Sequence, residues 1–343
     1  MNSITLYKII LIIGIITLFF QCESENGKDE FHSIETLNYE EVSYPNDLGQ
    51  THQLIIENNI LLLNDFHGDS LINVFDLQTS SIIRRLVGMG NGPNELKSPI
   101  DIQKSENYIY IYGRPLFTLL RVKKENLDKS QLNVEKIPQL PSRGDRMLPL
   151  SDSIIIFSGM WGKRYALINV NDPTNIFEFG DYPDFMEGEK DIPIEAKVMF
   201  HQSKFAKHPK ESLFVSCSNY TIEIYDYNNY NRNDEEPILK ERKLMGEYDF
   251  SFINGGGNVA ASQNKKSTPR IRAVTASNKY IYVVMGKEGA DRETEIKIFD
   301  WKMNPIKKII SDKYIMTMTI GDMNTAFAII QDPEDMIIKF KAD

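Results

Sequence analysis

A chain of 343 residues is long enough for two ordinary domains or one large repeat architecture. Hydrophobic residues at 41% and charged residues at 25% exclude a disordered or collagen-like chain and a multi-span membrane protein. Lys and Arg number 39 against 48 Asp and Glu, so the net charge of −9 has the wrong sign for a nucleic-acid partner, and two distant cysteines, Cys22 and Cys217, build neither a disulfide framework nor a cysteine zinc site.

In chain order, Lys8 precedes an unbroken apolar run over residues 9–20, whose 12 residues fall short of the roughly 20 a helix needs to cross a bilayer. The run ends at Gln21-Cys22, and residues 23–30 are polar and unable to pack a core. This segment resembles a bacterial lipoprotein leader, although Gln21 stands where a small residue is usual and Phe19 where an aliphatic one is. The resemblance implies a signal peptide over 1–21, lipidation at Cys22, a tether over 22–30, and an outer-membrane lipoprotein held to the cell envelope by its N-terminal lipid. Cys217 ends the apolar run 213–217 and reads as a buried, inert thiol.

From residue 31 onward, apolar runs of four to eight residues rich in Ile, Val, Phe and Tyr alternate with Asn, Gly, Ser, Asp and Pro turn signals. The first unit predicts strands over 53–57, 60–64, 71–77 and 81–87, with Asn58-Asn59 as a tight hairpin because Asn tolerates positive φ. The order recurs over 99–138, 146–179, 198–244 and 270–310, and a sixth unit supplies only three strands near 315–320, 325–330 and 336–341. Residues 33–44 precede the first unit and have no place in it, so they are expected to complete the sixth. Residues 31–343 then form an all-β, six-bladed β-propeller of about 52 residues per blade, closed by an N-terminal strand joining the last blade. The third strands share a loose ending, as in Ile72-Asn73-Val74-Phe75-Asp76 and Ile222-Glu223-Ile224-Tyr225-Asp226.

The connector after the first unit, Gly88-Met89-Gly90-Asn91-Gly92-Pro93-Asn94-Glu95-Leu96-Lys97-Ser98-Pro99, resembles the Gly-x-Gly-Pro-x-Glu-Phe-x-x-Pro linker of TolB-like six-bladed propeller lipoproteins of the Bacteroidota, with Leu96 in place of Phe. That largely uncharacterised family implies an exported, tethered propeller and supplies no catalytic residues. No strand-to-helix context follows these glycines, so they read as an inter-blade crossing rather than a phosphate loop.

In a propeller, the second-to-third-strand loops and the blade-to-blade connections share one face. That face is expected to collect residues 66–69, 113–115, 159–164 and 286–292 and the two longest connections, 181–197 and 246–269, read here as irregular. Arg114, Arg143, Arg146, Trp161, Arg164 and Arg292 are the candidate binding residues, because Arg forks grip carboxylate or phosphate and Trp offers a stacking face. Asp145, Asp184, Glu189 and neighbouring carboxylates occupy the same loops, which also admits a mixed, solvated charge pattern. His67 between Asp65 and Asp69 reads as a turn with capping carboxylates rather than a metal cluster, and no metal or cofactor motif is present. The reading is a monomeric envelope binding or scaffold propeller presenting its loop-rich face to a glycan, peptide or protein. The alternative is a polysaccharide hydrolase or lyase acting at the channel mouth, a chemistry that no sequence motif here motivates.

Overall fold

The computed structural model describes residues 30–342 except 130–132, 139, 186–188, 234, 247–249, 256–257, 264–268, 288–292 and 332–333. The leader, Cys22 and the tether to residue 29 lie outside the described residues, as does Arg292.

Two short strands, β1 (Ser33–Thr36) and β2 (Glu40–Val42), come first. Blade one is β3 (Thr51–Glu57), β4 (Ile60–Asp65), β5 (Ile72–Asp76) and β6 (Ser81–Arg85), and a connector carries β7 (Gly88–Met89) and β8 (Glu95–Leu96). Blade two is β9 (Ile100–Lys104), β10 (Tyr108–Gly113), β11 (Thr118–Lys123) and β12 (Val134–Ile137). Blade three is β13 (Gly144–Pro149), β14 (Ile154–Gly159), β15 (Tyr165–Asn169) and β16 (Asp172–Phe179), and helix α1 (Ile194–Phe200) follows. Blade four is β17 (Lys204–Lys207), β18 (Leu213–Ser218), β19 (Thr221–Asp226) and, after helix α2 (Asn228–Asn233), β20 (Ile238–Leu244). A hairpin, β21 (Phe250–Gly255) and β22 (Asn258–Gln263), leads to blade five, β23 (Arg270–Ala276), β24 (Tyr280–Gly286), β25 (Thr294–Asp300) and β26 (Pro305–Ser311). Blade six takes β27 (Tyr314–Ile320), β28 (Thr325–Gln331) and β29 (Asp335–Lys341).

Each blade is an antiparallel meander, and the innermost strands touch in a closed cycle, β3, β9, β13, β17, β23, β27 and back to β3. The fold is therefore a six-bladed propeller. Its closure is the one expected: β2 pairs antiparallel with β29, Glu41 opposite Ile338, and supplies the outer strand of blade six. The preceding β1 does something else, adding a fifth, parallel strand to the edge of blade five, with Ile34 opposite Lys308.

The apolar runs lack the alternation of a one-sided sheet because each blade buries both faces, one against each neighbour. The core is divided into six clusters, one per blade interface. Leu62 faces blade two while Leu61 and Leu63 face blade six, and all three are fully buried. At about 1.5–3 kcal/mol per fully buried aliphatic side chain, these stacked interfaces supply the main driving force for folding. Outer strands are different: β20 is exposed at nearly every position.

Polar side chains then pin neighbouring blades together. The Gln53 amide donates to Ile102 O at 2.7 Å and accepts from Ile102 N at 2.9 Å, completing a backbone-like pair between blades one and two. Asp101 Oδ2 accepts from Met147 N at 2.9 Å between blades two and three, and Thr294 Oγ1 accepts from Ile315 N at 3.1 Å between blades five and six. Third-strand endings cap their own turns: Asp76, Asp226 and Asp300 each accept a backbone N–H two residues on, at 2.9 Å. In blade three Asn169 takes that role at 3.0 Å.

Two expectations are corrected. Residues 198–200 belong to α1 rather than to a strand, because Pro193 opens a helical turn in which Ala196 and Phe200, four apart, share the buried side. The long connections are not irregular: 181–197 includes most of α1, 246–269 contains the β21–β22 hairpin, and α1 lies against β22.

Candidate functional site

The connector of blade one is a structural crossing. Gly92 N donates to Glu95 Oε2 at 2.8 Å, and a Cβ on Gly90 would stand 2.0 Å from that same oxygen, so the carboxylate occupies the space a side chain would need. Leu96, standing where the family linker has Phe, is fully buried in the interface between blades one and two.

The six innermost strands enclose an axial cavity of about 1300 Å³. Its two ends differ in how their charges are held. At the far end, where first strands turn into second strands, Lys124 Nζ lies 3.0 Å and Lys104 Nζ 3.5 Å from Glu57. Lys104 also donates to Ile56 O at 2.7 Å, and Lys207 to Leu150 O at 2.9 Å. These cations serve the walls.

At the connector end, the lining residues include His52, Asp101, Arg146, Lys204, Arg270 and Arg272, four cations of Lys or Arg type and one carboxylate. Lys204 opens β17 opposite Cys217 and has no ion-pair partner among the described residues. Burial, followed by the nearby Arg146, Arg272 and Arg270 guanidiniums, pushes its pKa down to about 8. Arg146 approaches Asp101 at 3.7 Å, and burial raises the Asp101 pKa against the pull of Arg146. The Arg272 guanidinium lies 5.3 Å from the Tyr314 ring centroid. His52 stacks on Phe66 at 4.0 Å, and burial with the adjacent His67 lowers its pKa.

A repeated backbone device places two of these side chains, His52 and Arg272. The register of the innermost pair slips between Thr51 and Gln53, Gly144 and Arg146, Ile271 and Ala273, and Ile315 and Thr317. Each slip inserts one unpaired residue at the connector end of an inner strand: His52, Asp145, Arg272 and Met316. Such bulges bend a strand and re-aim its side chains, and they are frequent beside binding sites.

The sequence-derived candidates meet different fates. Arg146 lines the cavity. Arg114 is committed to an ion pair with Asp145 in the wall, and Arg143 is exposed, its carbonyl accepting from Met160 N at 2.9 Å. Trp161 is only 2% exposed and packs with Tyr110, Tyr112 and Phe157, so its ring presents no stacking face. Arg164, 1% exposed, pairs with fully buried Glu223 and also presents no fork to solvent. Arg292 and Cys22 lie outside the described residues. Sequence reasoning missed Lys204, Arg270 and Arg272 by searching loops. The available signal was a basic residue near the start of a unit's first strand.

Two other clusters are structural. Asp65, 1% exposed, accepts from Gly49 N at 2.8 Å, His67 N at 3.0 Å and Gly68 N at 3.1 Å, so the Asp65–His67 segment is a capped turn as expected. Glu189, His201 and Ser218 form a relay with separations of 3.1 and 3.4 Å, the order of a hydrolytic triad. All three are at most 3% exposed, and Arg164 donates to Ser218 Oγ at 3.2 Å, so the relay is a sealed strut tying the 181–203 connection to blade four. Among the described residues no group of three or more His, Cys, Asp or Glu is placed to hold a metal ion.

Comparison with known proteins places this architecture. A family model described as a TolB-like 6-blade propeller-like domain matches residues 29–323. No curated protein matches. Among solved structures, a member of the DUF4221 family from Bacteroides vulgatus superposes with a TM-score of 0.55 at 12% identity, covering 88% of this chain and 94% of that one. A protein of Bacteroides fragilis described as exported gives a TM-score of 0.55 at 12% identity, covering 90% of this chain and 98% of that one. With its closed ring of inner strands and its connector at 88–99, the chain belongs to the TolB-like family of six-bladed propellers.

Proposed function

We propose that this chain is an exported, lipid-anchored binding propeller of the cell envelope, which takes up a glycan, peptide or protein segment at the connector end of its axial cavity. The observation that carries the reading is the cavity of about 1300 Å³, somewhat larger than the roughly 300–1,000 Å³ of clefts that hold small ligands and so large enough for a small ligand or a chain end. The bulges at the same end of four inner strands support it, since regular pairing would stabilise the sheets equally well without them. A polysaccharide hydrolase would need two facing carboxylates, whereas the lining residues described at this end include one, Asp101, already bound to Met147 N.

Screening the purified chain against glycans and peptides tests the binding role. A ligand bound by the wild type and lost on Arg146→Ala, with the unfolding midpoint retained, is the expected result. Retention of every ligand in that variant argues against the cavity as the site. The anchor is tested separately by mass spectrometry of the mature protein. An acylated Cys22 at the new N-terminus supports it, and a retained Met1 rejects it.

A further inference from the structure

The N-terminal segment joins the propeller at a defined height. β1 runs parallel to β26, and its first residue, Ser33, stands opposite Lys307, near the start of a strand that begins with Pro305 at the far end of the ring and finishes with Ser311 at the connector end. Just before β1, the Phe31 ring lies edge-on to Phe299 with centroids 5.5 Å apart and packs on the cluster between blades four and five. Phe299 is itself at the far end, opposite Pro305. The Lys307–Glu35 ion pair at 2.9 Å and the Leu37 N–H on Ile310 O at 2.8 Å hold the residues that follow. The point from which the chain departs toward Cys22 is therefore fixed by packing, at the far-end rim of blades four and five.

Covalent reach then limits which face can meet a lipid surface. Cys22 lies nine residues before Phe31, and that much chain spans at most about 32 Å when fully extended. β26, seven residues long, already climbs about 23 Å from the far end to the connector end. Laying the connector end on a bilayer would make the tether run the height of the ring along its outer wall and clear the connecting loops with little left over. With the far end toward the lipid, the tether has only to fall away from Phe31. Exposed apolar side chains occur on both sides: Met89, Leu116, Met160, Phe185 and Met199 at the connector end, and Met323 at the far end. Reach decides between them, because a chain length is a hard limit and an exposed methionine is not. Met323 is also the most exposed of the described large apolar side chains, at 83%, and sits in a left-handed turn with a φ of 52°. Ile34 and Ile238, both exposed, stand near the far-end starts of β1 and β20, the outer strands of blades five and four.

We propose that the far end of the propeller is its lipid-facing surface, with the rim of blades four and five nearest the bilayer and Ile34, Ile238 and Met323 at the headgroups, so that the connector end opens away from the membrane. The inference rests on the lipid anchor proposed above and adds the face that the anchor draws down. It follows that a ligand enters the axial cavity from the aqueous side, a ring's height from the lipid. It also follows that Met89, Met160 and Met199 are presented to the aqueous phase rather than covered by the bilayer.

Depth-dependent quenching tests this on the full chain, expressed in a bacterium that acylates lipoproteins and reconstituted into vesicles of phosphatidylethanolamine and phosphatidylglycerol with a headgroup-spin-labelled lipid. A fluorescent thiol label is placed at one exposed position at a time, Met323→Cys or Lys279→Cys at the far end and Met89→Cys or Met160→Cys at the connector end. With Cys22 acylated, the chain's other cysteine, Cys217, is buried and does not compete for the label. Labels at Met323→Cys and Lys279→Cys are expected to lose most of their intensity to the spin-labelled lipid, and those at Met89→Cys and Met160→Cys to keep theirs. Equal quenching at the two ends, or stronger quenching at Met89→Cys and Met160→Cys, in a chain that floats with the vesicles overturns the orientation and leaves the anchor standing. A chain that does not float with the vesicles removes the anchor, and the orientation with it.

Discussion

The Arg164 guanidinium and the Glu223 carboxylate form an ion pair sealed between blades three and four, with side-chain exposures of 1% and 0%. Glu223 is held from its other oxygen by Arg242 Nε at 2.7 Å, and Tyr165 Oη stands 3.2 Å from it. Burial opposes the charge on Arg164, and Glu223 more than restores it, so the guanidinium is held firmly protonated. Removing one partner leaves the other charged and dry, a loss of about 3–5 kcal/mol. Glu223→Gln should lower the denaturant midpoint accordingly, and Arg164→Met with Glu223→Gln should cost less than the two single changes added together. An unchanged midpoint in Glu223→Gln would remove this pair from the account of stability.

The strut beside it carries a pH dependence. Burial lowers the His201 pKa below its ordinary 6.5 against the pull of Glu189, so the folded state keeps this imidazole neutral where the unfolded chain protonates it. The stability it contributes is present above pH 6.5 and is lost as pH falls through the folded value. Between pH 7.5 and 5.5 the wild type should lose more stability than His201→Gln, read as the slope of the urea midpoint against pH. Equal slopes would show that His201 does not titrate on unfolding.

Lys204 gives the opposite sign. Its folded pKa of about 8 lies below the unfolded 10.5, so the unfolded chain binds more protons between those values and stability rises with pH across that window. Below pH 8 both states are charged and the cost of the cationic cluster is borne in full. Relative to Lys204→Met, the wild type should gain on the order of 1–2 kcal/mol between pH 7 and 9.5, allowing for screening by cavity water. A constant difference between the two proteins across that range would contradict it.

Asp65 holds three backbone N–H groups on one carboxylate, and a Cβ on Gly68 would stand 2.4 Å from its Oδ2. Asp65→Ala orphans all three donors in a buried turn and should cost about 1–3 kcal/mol, with Asp65→Asn retaining part of the loss. Chemical denaturation of both variants checks the order.

Closure is the remaining test of the ring. The Leu37 and Tyr39 side chains pack on the cluster between blades five and six, and β2 covers the edge of β29. Deleting residues 31–44 exposes two strand edges and that cluster, so the unfolding temperature should fall by several degrees and aggregation should begin sooner. A deletion variant that unfolds like the full chain would mean that the N-terminal strands merely decorate the propeller.

How much of this was legible before the fold was known follows from where each signal is written. Strand periodicity, the turn residues and the repeat are local, so the six units and the unpaired N-terminal segment could be read residue by residue. Asn58 takes the positive φ of 54° that its hairpin requires, and Asp65 caps its turn from two residues away. Trp161 shows the limit: a Trp between glycines reads as an exposed stacking face, but its fate was set by Tyr110 and Tyr112 of the preceding blade. Arg164 likewise found its partner 59 positions away, in Glu223.

The sequence by itself determined the architecture, because a strand that buries both faces and ends in a capped turn is specified by its own residues. Only the tertiary structure decided which charges meet. Arg146, Lys204, Arg270 and Arg272 come from the inner strands of three different blades and line one cavity because the ring closes, and one-residue bulges, invisible in an apolar pattern, put His52 and Arg272 on its lining.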